Sequence, residues 1–406
     1  MEKGCEALLK TWIRQQLPLL LVWTNSYERL TWAPILVLIA HELNAPYALA
    51  FAASAYSAAN LVGNLVLGAA SDRLGPLRVA GASLLFLALT TLLHLEAWSA
   101  AALILVRAAH GFFAAAVTPS SFSAASQGTE PAERGRRMAR LGLVIALASV
   151  VASPVAGRLV GILEVRGTLQ MQTAFLLLVG AIGLWAGKGK NEGPAASHSP
   201  DVQALDGARW GRREIDPWIT LFVCSIGFAA MFGQNTLFYA FPLKATEAGF
   251  GPAVVGGMFG LFAIGSVVAF SPPFSRIADR YGRVRPIVAG SLLSAAGMFL
   301  LGAGVARESV VLMAVSQLGY GFGFGLVFPA VSAATADGSE SERRGMAFGL
   351  LTAAFSIGAI VGPLAGQFLD PYLSPFSLAA LVMVASLASV RLTRRVAVPA
   401  LTGPAG

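Results

Sequence analysis

Long apolar runs separated by charged turns constrain this chain more than any other feature of its sequence. Hydrophobic residues make up 56% of its 406 residues and charged residues 12%, whereas a soluble domain carries about 25% charged residues. A helix that crosses a bilayer needs roughly 20 apolar residues. The sequence therefore predicts an all-α membrane protein with twelve transmembrane helices. The predicted spans are 17–40, 47–70, 79–95, 99–125, 138–162, 168–187, 217–241, 252–275, 286–305, 309–334, 346–369 and 374–392.

The sequence repeats itself in two halves. Three short markers recur in the same order at offsets of 207 to 209 residues, which predicts two pseudo-symmetric six-helix bundles. Repeats of this kind are typical of secondary transporters, whose solute site lies between the repeats near the bilayer midplane. The paired markers are 71–75 with 278–282, 133–134 with 342–343, and 153–157 with 362–366.

One long polar segment divides the halves. Residues 188–216 include a run rich in Gly, Pro and Ser, which is typical of a linker. We predict an N-terminal bundle over 1–187, a cytoplasmic linker over 188–216 and a C-terminal bundle over 217–406.

The basic residues indicate orientation rather than nucleic-acid binding. Although the net charge is +8, 23 Lys and Arg residues lie on one side of the predicted spans and four on the other. This asymmetry places both termini in the cytoplasm. We expect a multi-pass protein of the cell's inner (plasma) membrane. Its expected partners are the lipid bilayer and a small-molecule substrate, without nucleic acid, and we expect it to be monomeric.

Ionisable residues inside the predicted spans are few and concentrated in the first half. Glu28 lies near the middle of span 17–40, and Arg107 and His110 share one face of span 99–125. At about 1.5 Å per residue, His110 falls at the depth of Glu28, and Arg107 one turn further out. We predict that Glu28 faces Arg107 and His110 across a cavity, whereas Arg29 points elsewhere, towards a neighbouring helix such as span 138–162.

Such a group of residues is suited to proton coupling. A buried charge is costly, so an intramembrane ionisable residue is a functional candidate. Burial opposes the ionised form of a carboxyl group and a nearby arginine favours it, so access to water or substrate can change its protonation. Histidine adds a group that titrates near neutral pH. A static ion pair between two helices is the alternative.

His94, at the end of span 79–95, is expected to be solvated.

The second half has kept polarity at the matching positions but not charge. Gln317 and Tyr320 follow Arg107 and His110 at an offset of 210 residues. We therefore expect coupling in the first half and substrate contacts shared with the second. The predicted substrate-binding residues are Asn25, Trp32, Gln234, Asn235, Tyr239, Gln317 and Tyr320.

Two loops carry a motif that resembles the major facilitator superfamily. The first copy has Gly68, Asp72, Arg73, Gly75 and Arg78. The second has Asp279, Arg280, Gly282, Arg283 and Arg285. The resemblance implies the major facilitator fold and a cytoplasmic gate in which these loops latch the two halves. The implied gate residues are Asp72, Arg73, Arg78, Asp279, Arg280 and Arg283.

Further motifs resemble the drug/proton antiporter branch of that family. Residues 107–111 are similar to its Arg-x-x-Gln-Gly motif, whose arginine is associated with proton coupling. The Gly-Pro motif is degraded at 153–157 and fuller at 362–366. Residues 27–32 are partly similar to a motif of proton-coupled peptide transporters.

The leading hypothesis is a secondary transporter that works by alternating access, a proton-coupled exporter of an amphipathic or drug-like compound. A proton-coupled uptake symporter for a peptide-like or organic anion substrate is the alternative, and a non-transporting membrane sensor or scaffold is a third. We find no phosphate-binding Gly-rich loop, no metal-spaced Cys/His cluster and no soluble domain long enough to be an enzyme. We therefore expect no cofactor or metal, no enzymatic activity and the proton gradient as the energy source.

Overall fold

The computed structural model describes residues 2–127, 131–187, 216–274, 277–339 and 343–393. Within these ranges regular structure is helical, so the predicted all-α class is confirmed. The predicted linker lies outside the described residues except for Asp216. The helices are α1 Glu2–Glu42, α2 Ala48–Leu74, α3 Pro76–Leu95, α4 Ala100–Ser126, α5 Pro131–Gly187, α6 Pro217–Glu247, α7 Pro252–Phe270, α8 Ile277–Tyr281, α9 Val284–Ala306, α10 Val310–Asp337, α11 Arg344–Leu369, α12 Pro375–Ser386 and α13 Val390–Thr393, with a 3₁₀ turn at Leu387–Ser389.

The helix ends follow from local sequence. Ser99, Asp216 and Ser309 cap α4, α6 and α10, because each side chain accepts a backbone N–H of the first turn. Gly75, with φ of 93°, separates α2 from α3, a conformation that glycine adopts readily. Glu164 has φ of 59° and ψ of 178°, which breaks α5 into two arms. This break falls between the predicted spans 138–162 and 168–187.

Several helix ends depart from their predicted bounds, those of α1, α5, α6, α7 and α12 by five residues or more. Helix α1 begins at Glu2 rather than near residue 17, because a helix can continue through polar residues beyond the apolar run. Helix α7 ends at Phe270, five residues earlier than predicted. Pro272 and Pro273 follow, and proline lacks the N–H that would extend the helix.

In the described part of the chain, nine helices are long and apolar enough to cross a membrane. One of these stretches, Arg140–Gly187, contains both arms of α5. The remaining predicted spans fall in α1, which carries Glu28 and Arg29, and in α12, which is only twelve residues long. The chain is therefore a multi-pass membrane protein by length and composition.

The described helices group into two compact units. The first contains α1 to α5 together with residues 251–257, and the second contains α6 and the helices that follow residue 257. The predicted domain boundaries at 187 and 217 stay a prediction. Buried aliphatic side chains of α1, α3, α4 and α5 form the core of the first unit, and those of α6, α9, α10 and α11 that of the second.

Glycines bring α2 and α4 into close contact in the first unit. A Cβ added at Gly111 would fall on the carbonyl oxygen of Tyr56, and one at Gly63 on that of Phe112. Small residues at helix interfaces allow such close approach in membranes. The contact fixes the position of α4, the helix that carries Arg107 and His110.

Candidate proton-coupling site

Glu28 lies in the middle of α1 and is only 1% exposed. Its Oε1 lies 2.6 Å from Nε2 of His110 and accepts a hydrogen bond from Nε1 of Trp32. Nε2 of Gln172, on the second arm of α5, lies 3.4 Å away. Glu28 Oε2 has no hydrogen-bond partner among the described residues. The carboxyl group is thus held from three helices through one of its oxygens.

His110 is fully buried and bridges two helices. Its Nε2 meets Glu28 on α1, and its Nδ1 lies 2.9 Å from Oγ1 of Thr90 on α3. The short contact between Nε2 and the carboxylate needs a hydrogen between the two atoms. The structure therefore brings together two of the predicted coupling residues as a pair that shares a proton.

Arg107, also on α4, lies one helical turn from His110 and packs among aromatic side chains, and its predicted role with Glu28 stays a prediction. Its guanidinium carbon lies 4.8 Å from the ring centroid of Trp32 and 4.6 Å from that of Tyr56. Nε and Nη1 of Arg107 are buried without a hydrogen-bond partner within the described ranges. Glu28 therefore faces His110, while Arg107 is held one helical turn away by cation–π contacts. The rings of Trp32 and Tyr56 hold the Arg107 side chain in this position, and they are close to it because of how α1, α2 and α4 pack.

Arg29 is exposed, and it takes no part in the hydrogen bonds that the described residues make to Glu28. It follows Glu28 in the helix and so faces another direction, as the helical period requires. The expected contact between Arg29 and the helix over 138–162 stays a prediction.

His94 corrects a sequence expectation. It is only 1% exposed, although its place at the end of α3 predicted solvation. The ring packs at a tilt of 39° against Trp32 with centroids 4.3 Å apart, and Nδ1 donates to the carbonyl oxygen of Thr90 at 2.7 Å. The expectation was wrong because the backbone of the last turn satisfies one ring nitrogen and Trp32 covers the ring.

Sequence reasoning missed three residues around the pair. Thr90 and Gln172 contact His110 and Glu28 directly, and Thr31 donates to Gln172 Oε1 at 3.1 Å. Their polarity within apolar spans was the available signal. Thr31 and Gln172 also line a cavity of about 270 Å³ between α1 and α5. The other lining residues are Trp23, Tyr27, Ala156, Leu159, Thr168, Met171 and Phe175.

The predicted substrate-binding residues lie in two different environments. In the first unit, Asn25 donates to Thr118 Oγ1 at 2.9 Å, and Trp32 is buried against Glu28. In the second unit, Gln234 and Asn235 are half-buried, and Asn235 donates to its own helix at Met231. Tyr239 is buried.

Gln317 and Tyr320 are buried on α10, with exposures of 0% and 1%. Both polar atoms of the Gln317 side chain and the hydroxyl of Tyr320 lack a hydrogen-bond partner in the part of the chain that the structure describes. Ser294 Oγ on α9 is also buried without a hydrogen-bond partner in that part of the chain. A buried polar group without a partner costs about 1–3 kcal/mol.

The predicted gate residues make contacts inside their own units. Arg78 Nε donates to the carbonyl oxygen of Gly187 at 2.7 Å, which ties α3 to the end of α5. Arg283 Nε pairs with Asp337 at 3.0 Å, which ties the start of α9 to the end of α10. Arg280 lies over the ring of Tyr281.

Asp72 and Arg73 are exposed, and the side chain of Asp279 lies outside the described residues. The latch between the two halves stays a prediction. Within the described ranges, no group of three or more His, Cys, Asp or Glu side chains is placed to hold a metal ion.

Comparison with known proteins defines the family. The model of the Major Facilitator Superfamily matches residues 19–243 and 223–405. The chain belongs to this superfamily. It is also similar in fold to the crystal structure of nucleoside transporter NupG, with a TM-score of 0.68 and 14% identity over 94% of this chain and 98% of that one. The predicted major facilitator fold is thereby confirmed.

Two curated relatives are drug-resistance proteins. Multidrug resistance protein 1 of Bacillus subtilis (strain 168) is 32% identical over 166 residues, which are 40% of this chain and 42% of the relative. Tetracycline resistance protein, class B, of Escherichia coli is 33% identical over 133 residues, 32% of this chain and 31% of that protein. The chain spans less than half the length of the curated relatives it matches.

Proposed function

We propose that this protein is a secondary transporter that exports an amphipathic or drug-like compound in exchange for protons. The drug-resistance relatives support the substrate class, and the family supports alternating access. The observation that carries the coupling is the contact of 2.6 Å between Glu28 and His110, both almost completely buried in the first unit. One fold can serve many functions, so we base the coupling on the site rather than on the fold.

Proton exchange at this pair gives the transport cycle its direction. When the pair holds a proton beyond the one shared between Nε2 and the carboxylate, its negative charge is neutralised. When it loses that proton, a net negative charge remains in an apolar interior, where a compound with positive or hydrogen-donating groups stabilises it. A proton and a substrate thus favour different states of the same site, which is the condition for coupled exchange.

The membrane location, the orientation, the partners and the energy source of the protein are also part of this proposal. We place the protein in the inner membrane with both termini in the cytoplasm, on the basis of the Lys and Arg distribution. Its partners are the bilayer and a small-molecule substrate, and it acts as a monomer. The proton gradient is the energy source, and no cofactor takes part. The substrate contacts proposed from sequence, on α1, α6 and α10, belong to this proposal.

A second candidate function is uptake of an organic anion together with protons. Two donor atoms of Arg107, Nε and Nη1, lack a hydrogen-bond partner among the described residues. An anionic group is the natural partner of a guanidinium with free donors. In that case Arg107 would bind the substrate, and the Glu28–His110 pair would again carry the proton.

Transport in liposomes tests the proposal. The purified chain is reconstituted with an imposed pH gradient, and movement of tetracycline and of a panel of amphipathic cations and anions is followed. We expect the gradient to drive drug movement against the proton flow, and Glu28→Gln to lower the rate at least tenfold. Glu42→Gln is the matched control, because Glu42 lies on the same helix but is exposed.

Each alternative gives a different result in this assay. Movement of an organic anion in the same direction as protons, lost in Arg107→Gln, would support the uptake function. A Glu28→Gln variant that transports with unchanged pH dependence would contradict coupling at this pair. No movement of any compound under any gradient would contradict transport and favour a sensor or scaffold.

A further inference from the structure

Thr90 lies beside the coupling pair and has two places for one hydrogen. Its Oγ1 is 2.9 Å from Nδ1 of His110 and 3.0 Å from the carbonyl oxygen of Leu87. Thr90 is 3% exposed and His110 is fully buried, so water does not compete with these contacts. A threonine hydroxyl carries a single hydrogen. It can therefore donate to the imidazole or to the carbonyl, but not to both.

In one orientation of this hydroxyl the Glu28–His110 pair carries one more proton than in the other. If the hydroxyl donates to Leu87, the Thr90 oxygen accepts from His110, so Nδ1 carries a hydrogen. With the hydrogen that lies between Nε2 and Glu28, the pair is then fully loaded. If the hydroxyl donates to Nδ1, the imidazole is neutral with its hydrogen on Nε2, and Glu28 is ionised. Loss of one proton from the pair thus accompanies rotation of the hydroxyl.

The neighbouring groups leave this hydroxyl free to turn while its backbone is held. Thr91 Oγ1 already donates to the Leu87 carbonyl at 2.7 Å, and the helical N–H of residue 91 is directed at the same oxygen. Three donors compete for one oxygen with two lone pairs, and Thr90 has the longer side-chain contact. The backbone carbonyl of Thr90 is itself fixed by His94 Nδ1 at 2.7 Å.

We propose that Thr90 is a positioning residue whose hydroxyl orientation sets the protonation states available to His110, and with them the pH at which the Glu28–His110 pair loads its proton. The inference rests on the proposed function, in which this pair carries the coupled proton. Thr90 touches no substrate in this account and acts through the imidazole.

Charged and titratable groups reach His110 from several helices. Glu28 faces it from α1 and Arg107 shares its helix, while His94 on α3 lies with its ring centroid 5.4 Å away. Tyr56 of α2 lies at 6.3 Å. Among the described residues, α5 contributes the neutral Gln172 next to the pair. The Thr90 hydroxyl adds no charge to this set, so its effect appears as a change in hydrogen bonding.

Removal of the hydroxyl has a predictable sign. Thr90→Val keeps the shape of the side chain but leaves Nδ1 without a partner in both states. The loaded state loses an acceptor for a charged imidazolium, whereas the unloaded state loses a donor to a neutral ring. Hydrogen bonds to charged groups are the stronger. We expect the loaded state to weaken more, and the titration midpoint to move down by about one pH unit, roughly a tenfold loss of proton affinity.

The experiment reads the imidazole directly. The full chain, with histidines labelled with ¹³C and ¹⁵N, is placed in lipid nanodiscs and titrated by NMR, where ring ¹⁵N shifts report which nitrogen carries hydrogen. The chain has four histidines, and His110→Gln identifies the resonance by its absence. Thr90→Val should lower the His110 midpoint by about one pH unit, and Thr90→Ser should restore it. Thr91→Val is the matched control, since Thr91 is equally buried and bonds Leu87 without touching His110.

Two results would overturn the assignment: a His110 titration in Thr90→Val that equals the wild type, or an equal shift in Thr91→Val, which would attribute the change to packing. The measurement involves no transport. A midpoint that depends on Thr90, together with a Glu28→Gln variant that keeps pH-driven transport, would support the role of Thr90 at His110 and contradict the proposed coupling.

Discussion

The two units share a packing pattern and differ in the chemistry placed on it. In the first, Gly111 of α4 packs against the carbonyl of Tyr56, and in the second, Gly321 of α10 packs against the carbonyl of Phe262. One residue before each glycine stands His110 or Tyr320. The backbone arrangement that positions the site has thus been kept in both units, at an offset of 210 residues.

The side chains at one pair of matching positions, His110 and Tyr320, differ in their hydrogen bonding. Both ring nitrogens of His110 have partners, one of them the Glu28 carboxylate. By contrast, the Tyr320 hydroxyl is buried without a partner within the described ranges. Arg107 and its counterpart Gln317 both have buried polar atoms without a hydrogen-bond partner there. A buried carboxylate is costly without a partner, whereas an uncharged group can remain unpaired at a smaller cost. On this comparison rests our proposal that proton exchange takes place in the first unit.

The largest expected effect comes from giving the first unit the residue of the second. His110→Tyr removes the partner of a buried carboxylate, and loss of one member of a buried pair costs about 3–5 kcal/mol. We expect the free energy of unfolding to fall most at high pH, where Glu28 is ionised. The deficit should shrink as the pH falls, because protonation of Glu28 removes the unpaired charge. Thermal unfolding in detergent between pH 5 and 9 measures this.

The reciprocal change, Tyr320→His, is the control for that comparison. It puts an imidazole where no acid has been found among its described contacts, so its effect on stability should be far smaller at high pH. An equal, pH-independent loss of stability in both variants would contradict the division between the units.

A smaller effect, equal in the two units, is expected at the close helix contacts. Gly111→Ala and Gly321→Ala each place a Cβ on a backbone carbonyl of the neighbouring helix, and overpacking of this kind costs about 1–3 kcal/mol. Only Gly111→Ala should also change the pH dependence of transport, since it displaces His110. Gly142→Ala is the control, because an added Cβ there meets nothing within 4 Å. Unequal losses of stability would show that the shared packing is not equivalent.

Tyr320→Phe should have a slight effect of the opposite sign. Because the hydroxyl is buried without a partner in the described structure, its removal should leave stability unchanged or raise it by up to about 1 kcal/mol. Unfolding of the two proteins side by side tests this. A loss of more than about 1 kcal/mol would mean that the hydroxyl has a partner, such as a bound water molecule.

The smallest effects concern the two copies of the loop motif. Arg283 pairs with the carboxylate of Asp337, while Arg78 donates to a backbone carbonyl. Replacement of either by Gln should cost at most about 1 kcal/mol. Salt should reduce the cost for Arg283 but not for Arg78, because ion pairs near the surface are screened. Unfolding at low and high salt separates them, and an identical salt response would contradict the difference.

The fold could be predicted from sequence because its determinant is local. The apolar runs set the helices, and the break at Glu164 falls where two predicted spans meet. Among the helix ends that differ from the prediction, the start of α1 and the end of α7 depended on polar residues and prolines rather than on apolar length.

The candidate site could be predicted only in part. Depth along a helix follows from residue spacing, so the level shared by Glu28 and His110 was accessible from sequence. The directions of side chains depend on how three helices pack, and sequence spacing does not contain this. For that reason the position of Arg107 between two aromatic rings and the buried position of His94 were not predicted.

The number of protons released when a drug binds tests most directly whether the Glu28–His110 pair carries the exchanged proton. The purified chain in weakly buffered detergent is mixed with the compound that it transports in liposomes, and released protons are counted with a pH indicator. We expect about one proton per drug molecule for the wild-type protein and for Glu42→Gln, and none for Glu28→Gln, because the exchanged proton resides on the Glu28–His110 pair. Equal proton release from Glu28→Gln and the wild type would contradict proton exchange at this pair.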